Sequence, residues 1–176
     1  MKIPGFAKSW LRLGSSPANE SEPAGLAHLE LGRRGETLAA EYLEAIGYRL
    51  VAANFSVPIG RNLNGAIVRA EVDLVGYDGE TLCFVEVKTR ASDWYAAPQV
   101  NVDLRKQRQI IRAARAYRRL FGLLESSYRF DVITVTLAPV EAGSGSSKPR
   151  LELLKNFWTK DKFRKRRWHE GNFDPA

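Results

Sequence analysis

The stretch that most constrains this chain is 70–90, AEVDLVGYDGETLCFVEVKTR. Asp78-Gly79 separates two runs of strand composition, and both residue types tolerate the positive φ that a two-residue hairpin turn needs. Val72, Leu74 and Val75 come before the turn; Leu82, Cys83, Phe84, Val85 and Val87 follow it. The second run is nearly continuous in apolar residues, the pattern of a strand covered on both faces. Into it the chain inserts Glu86 and Lys88.

With Asp78-Gly79 as the loop, Tyr77 pairs with Glu80, Val75 with Leu82, Asp73 with Phe84 and Glu71 with Glu86. Side chains alternate along a strand and paired residues share a face. Glu71, Asp73, Glu86 and Lys88 are therefore expected on one face, with Asp73 and Glu86 as diagonal neighbours roughly 7–8 Å apart at Cα. A three- or five-residue loop would shift the register by one and send Asp73 to the opposite face. Two carboxylates so placed can share a hard cation. Mg²⁺ or Mn²⁺ prefers oxygen ligands and needs only one or two carboxylates when a substrate phosphate helps to fill the shell. Such an ion lowers the pKa of a bound water and neutralises charge growing on a phosphodiester. A lysine on the same face orients that water or stabilises that charge.

The length, 176 residues with 44% hydrophobic content, suits one ordinary domain with its own core. Lys and Arg number 27 against 20 Asp and Glu, a net charge of +7, which favours an anionic partner. The single cysteine, Cys83, excludes an intramolecular disulfide framework and a cysteine-based zinc site, and suits a reducing cytoplasm. No apolar run approaches the length of a membrane span. The start, MKIPGFAKSWLRLG, is broken by Pro4, Lys8 and Arg12 and makes a poor signal peptide.

Residues 1–25 read as a flexible extension, because Gly14-Ser15-Ser16-Pro17 and Ser21-Glu22-Pro23 break any periodicity. A helix is expected over 27–46, with Leu31, Leu38, Tyr42 and Ile46 at helical spacing and Gly47 ending it. Arg33, Arg34 and Glu36 stand near its beginning; the arginines suit phosphate contact or an exposed face equally. Residues 48–55 read as the first strand. The segment 56–70, with Pro58, Gly60, Asn62, Asn64 and Gly65, reads as a loop, and tolerated insertion is a better account of it than substrate contact by Arg61 and Arg69. Asn101 is a plausible N-cap for a second helix, with Asp103 in its first turn and Gly122 after its end. From 104 to 124 this helix carries seven cations and no acid, including Arg108 and Arg112. Unbalanced like charge is slightly destabilising, which points to phosphate contact. Residues 128–137 read as a further strand, in which Asp131 either forms a salt bridge or supports the site. The Gly/Ser-rich 141–150 reads as a flexible link and 151–158 as a last strand or short helix. The basic, aromatic tail suits nucleic-acid contact or solubilisation equally. The domain proper is thus expected at 26–140, followed by the link and a C-terminal segment, 151–176.

An acid at a strand end followed by E-x-K on the next strand resembles the PD-(D/E)xK nuclease superfamily. Asp73 matches the first acid and Glu86-Val87-Lys88 the E-x-K. Gly32-Arg33-Arg34-Gly35-Glu36, then Gly47-Tyr48, Glu71-Val72-Asp73 and FVEVKTR narrow the resemblance to the YraN-type family of small bacterial endonuclease-like proteins. The resemblance implies an α/β restriction-endonuclease-like core, a mixed sheet flanked by helices in the order α-β-β-β-α-β. It also implies that Glu36 joins Asp73 and Glu86 near the ion, and that Lys106 approaches the catalytic face. The long 56–70 segment, and Ala70 where the family commonly has glycine, depart from its pattern.

The expected function is metal-dependent hydrolysis of nucleic acid, DNA rather than RNA, in the cytoplasm. Asp73, Glu86, Lys88 and Glu36 are the expected catalytic set. Arg33, Arg90, Lys106, Arg108 and Arg112 are the expected contacts to nucleic acid, and a homodimer is left open. The alternatives are a non-catalytic binding module on the same scaffold and a protein that meets an acidic partner. No Walker loop or Rossmann glycine pattern is present, and His28 and His169 sit outside the expected core, so histidine-based hydrolysis lacks its base.

Overall fold

A computed structural model describes residues 23–91, 101–137 and 148–163. The order is α1 (Pro23–Ala45), β1 (Arg49–Arg61), β2 (Ile67–Asp78), β3 (Thr81–Arg90), α2 (Leu104–Leu120), β4 (Tyr128–Thr136) and β5 (Arg150–Trp158), closed by a 3₁₀ turn, Lys160–Phe163. The five strands form one mixed sheet in sequence order. Only β3 and β4 run parallel, because α2 is the crossover between them; the other neighbours are antiparallel. The architecture is the α/β layer arrangement of a restriction-endonuclease-like core, with 151–158 forming a strand.

β3 is the spine. Leu82 and Phe84 enter the core cluster under α2, with Ile110, Ala113, Ala114 and Tyr117. Cys83 and Val85 enter the cluster under α1, with Ala39, Ala40 and Leu43. Burial on both faces explains the unbroken apolar run. Glu86 and Lys88 continue the α2-facing row, while Val87 packs on the α1 side.

Several expectations need correction. The turn lies one residue later: Asp78 pairs with Thr81 and Gly79-Glu80 is the loop, with Gly79 at φ +58°. Glycine leads the loop, which lets the second position keep negative φ. Moving the loop by one residue shifts the register by two, so the paired side chains from Leu74 to Asp78 keep their faces. Residues 56–70 are not a loop. β1 runs on to Arg61 and β2 begins at Ile67, so the segment is mostly an extended hairpin. β1 is an edge strand, where the missing N–H of Pro58 is tolerated, and the ladder shifts between Pro58 and Gly60. Asp103, not Asn101, caps α2: its carboxylate accepts from Lys106 N at 2.8 Å. Asp131 is buried in a salt bridge with Arg129 at 3.0 Å and also accepts from Asn156 N at 2.8 Å. Arg129 continues to Asp78 beside the hairpin turn, so Asp131 belongs to a structural network at that end of the sheet. The N-terminal extension up to residue 22, residues 92–100, most of the 141–150 link and the basic tail lie outside the described residues.

Candidate functional site

The site lies where β2 leaves β3. The two strands pair from Asp78↔Thr81 to Leu74↔Val85. Past that pair a side chain takes over a main-chain donor: the Asp73 carboxylate accepts Val87 N at 2.7 Å. A change in β1 lies level with the fork. Asn54 takes a left-handed φ of +50°. Across it the buried face switches, so Ala53 packs on the α1 cluster and Phe55 on the α2 cluster. β2 switches in step, with Leu74 under α1 and Val72 under α2. Asp73 sits at that change of face.

Glu86 is buried, with 2% of its side chain exposed. Lys88 Nζ lies 2.9 Å from Glu86 Oε1, and Lys106 Nζ reaches in from the first turn of α2, 3.0 Å from Glu86 Oε2 and 3.8 Å from Asp73 Oδ1. Two acids and two ammoniums thus converge. The expected Asp73, Glu86 and Lys88 are brought together, and Lys106 joins them directly. Burial, then the charge of Glu86, push the Asp73 carboxyl up to about 7. Burial opposes the Lys106 ammonium, but Asp73 and Glu86 outweigh it and hold its pKa above the ordinary lysine range.

Glu36 arrives from α1. That helix approaches β3 closely at Gly35, where a Cβ would overlap the Thr89 side chain. With its amide nitrogen turned towards them, Asn54 donates to Glu36 Oε2 at 3.3 Å and Glu71 Oε1 at 3.2 Å. Burial raises the Glu36 pKa against the lowering effect of this hydrogen bond. Glu71 therefore leaves the face expected for it and meets Glu36 instead, because the switch at Asp73 reverses the alternation.

Asn54 and Glu71 are the members that sequence reasoning missed. Glu71 was legible as a strand acid; the left-handed φ of Asn54 was not. Of the expected nucleic-acid contacts, Arg33, Arg108 and Arg112 are exposed on the helices, and Arg90 ends β3 two positions beyond Lys88. His28 is exposed on α1, and no helix of the described residues is long and apolar enough to cross a membrane.

Asp73 and Glu86 offer only oxygen donors, which suits Mg²⁺ or Mn²⁺ better than zinc. Glu86 Oε2 is buried and, apart from its ion pair with Lys106, receives no directed hydrogen bond. Among the described residues no three or more His, Cys, Asp or Glu side chains are grouped so as to hold a metal ion, so Asp73 and Glu86 would supply at most two carboxylates and waters or substrate oxygens the rest. The donor set fits a hard cation on those terms.

Fold and site together define a restriction-endonuclease-like α/β protein with a PD-(D/E)xK-type cluster of carboxylates and lysine. The model of the uncharacterised protein family UPF0102 matches residues 35–135. The chain belongs to that family, which is the YraN-type family. It is 44% identical over 126 residues to the UPF0102 protein GSU0650 of Geobacter sulfurreducens, covering 72% of this chain and 86% of the relative. A UPF0102 protein of Chlorobium limicola is 44% identical over 105 residues, 60% of this chain and 74% of its own. One of Chlorobium chlorochromatii is 41% identical over 129 residues, 73% and 92%.

Proposed function

We propose that this protein is a metal-dependent nuclease that hydrolyses phosphodiester bonds, with DNA as substrate. The observation that carries the reading is the convergence of Asp73 and Glu86 with two lysines at a strand fork. Asp73 and Glu86 would hold Mg²⁺ or Mn²⁺, with Glu36 beside them. When bound, the ion supplies an activated water and a counter-charge for the phosphoryl oxygens. Lys88, held by Glu86, presents an ammonium to the attacking water or to the oxygen on which charge develops. Lys106 neutralises the acids before substrate arrives and can turn to a phosphate afterwards. Asn54 holds Glu36 and Glu71 together although their charges repel. The basic face of α2 supplies charge for the polyanion.

The test is incubation of purified protein with nicked, branched, single-stranded and linear DNA, in EDTA and in Mg²⁺ or Mn²⁺. The expected result is cleavage only with metal, lost in Asp73→Ala and Lys88→Ala. Undiminished cleavage by both variants would refute the assignment.

One observation favours a second reading, a nucleic-acid-binding module without turnover. The cluster is already neutralised by its own lysines, so the protein has no need of a metal to balance these charges. Salt-dependent DNA binding without cleavage on any of these substrates would select that reading.

A further inference from the structure

The extended hairpin has a second consequence, on the outer flank of α2. Arg105, Arg112 and Arg119 recur every seven residues, so they form a row along the helix at intervals of about 10.5 Å. All three are exposed. The row starts beside Lys106, whose ammonium reaches Glu86. Further along, it borders a groove of about 530 Å³ between α2 and β1. Arg112 and Arg119 stand over this groove, Pro58 and Ile59 of the hairpin form its far wall, and Ala116 and Leu120 belong to its α2 side. The hairpin cations do not compete for a ligand here: Arg61 donates to Gly65 O at 2.7 Å and Arg69 to Ser56 Oγ at 3.0 Å, both within the hairpin.

We infer that this groove holds a single-stranded segment of nucleic acid next to the reactive centre, which makes substrates with an unpaired arm the preferred class. The inference rests on the nuclease reading above. A row of arginines tracks the backbone of a polyanion. Aliphatic walls give unstacked bases a sequence-tolerant surface and offer no hydrogen-bond code. A paired duplex hides its base faces and gains nothing from such walls. An acidic protein segment would match the charge, but a chain laid along this row is led to the Asp73–Glu86–Lys88 cluster, where only a phosphodiester has a bond to react.

The test is fluorescence anisotropy in EDTA, with labelled oligothymidylate and a blunt DNA duplex of equal length. Arg112→Glu/Arg119→Glu should weaken binding of the single strand roughly tenfold or more, with a much smaller effect on the duplex. Its salt slope should fall by about 0.7 for each phosphate that is no longer neutralised. Leu120→Glu, at an exposed position that folding tolerates, should also weaken the single strand selectively. Unaltered single-strand affinity in both folded variants overturns the inference. So does an equal loss for strand and duplex, or polyglutamate competing with the same dependence on Arg112 and Arg119. Because binding is read without metal, a wild-type protein that binds the strand but cuts nothing defeats the nuclease reading and leaves the groove assignment standing.

Discussion

The Lys106 ammonium lies 3.0 Å from Glu86 Oε2 and 3.8 Å from Asp73 Oδ1, so one cation of α2 counters both acids of the strand fork. Removing one partner of a largely buried charge cluster leaves the others uncompensated. Lys106→Met should therefore destabilise the metal-free protein by roughly 2–4 kcal/mol in urea unfolding. Magnesium should restore more stability to this variant than to the wild type, since the acids then lack a resident counter-ion. Equal metal-induced shifts in melting temperature for the two proteins would contradict that role.

Asp73 makes stability depend on pH. Its pKa is raised when folded, to about 7 from an ordinary 3.8, so its contribution is full below the lower value and is lost as pH rises through the higher one. The metal-free wild type should lose stability as pH rises between 3.8 and about 7. Asp73→Asn keeps an oxygen for Val87 N and cannot ionise, so its melting temperature should exceed the wild type's at pH 8 by on the order of 5 °C, with the gap narrowing at pH 5 and closing only near the unfolded value. The dependence should flatten without vanishing, because Glu36 is raised in the same sense. Thermal scans across this range provide the check.

Gly35 sets how closely α1 approaches β3. A Cβ there would overlap Thr89, and even the Thr89 Cβ would lie 2.7 Å away. Gly35→Ala should cost about 1–3 kcal/mol and displace the helix that carries Glu36. Adding Thr89→Ala should recover only part of this, since the Thr89 Cβ remains. Full recovery in denaturant titration would mean that the methyl and hydroxyl groups alone set the distance.

Asn54 joins the backbone switch to the outer acids. Asn54→Gly keeps the left-handed φ but releases Glu36 and Glu71; Asn54→Ala also strains the backbone, by roughly 1–2 kcal/mol. The alanine variant should therefore melt below the glycine variant, and the reverse order would remove the strain argument.

Much of this site was legible because sheet alternation has a period of two. Placing the turn at Asp78-Gly79 rather than Gly79-Glu80 displaced the pairing by two residues, and Asp73 and Glu86 stayed on the same side. The fate of Glu71 was not legible, because nothing in the sequence marks Asn54 as left-handed. Pro58 and Gly60 read as loop residues, yet an edge strand can accept both, so the hairpin and its groove were missed. Lys106 was expected among the nucleic-acid contacts and, from the family resemblance, near the catalytic face; its ion pair with Glu86 depends on where α2 starts, and Asp103 fixes that start. The paired strands and the two helical faces were readable because β3 must be covered on both sides.

The most direct measurement is metal-dependent cleavage of DNA carrying an unpaired arm, compared between the wild type, Asp73→Ala and Lys88→Ala. The expected result is cutting in Mg²⁺ or Mn²⁺ by the wild type alone, with all three proteins folded. Equal cutting by the folded variants would contradict the claim that the strand fork is the reaction centre.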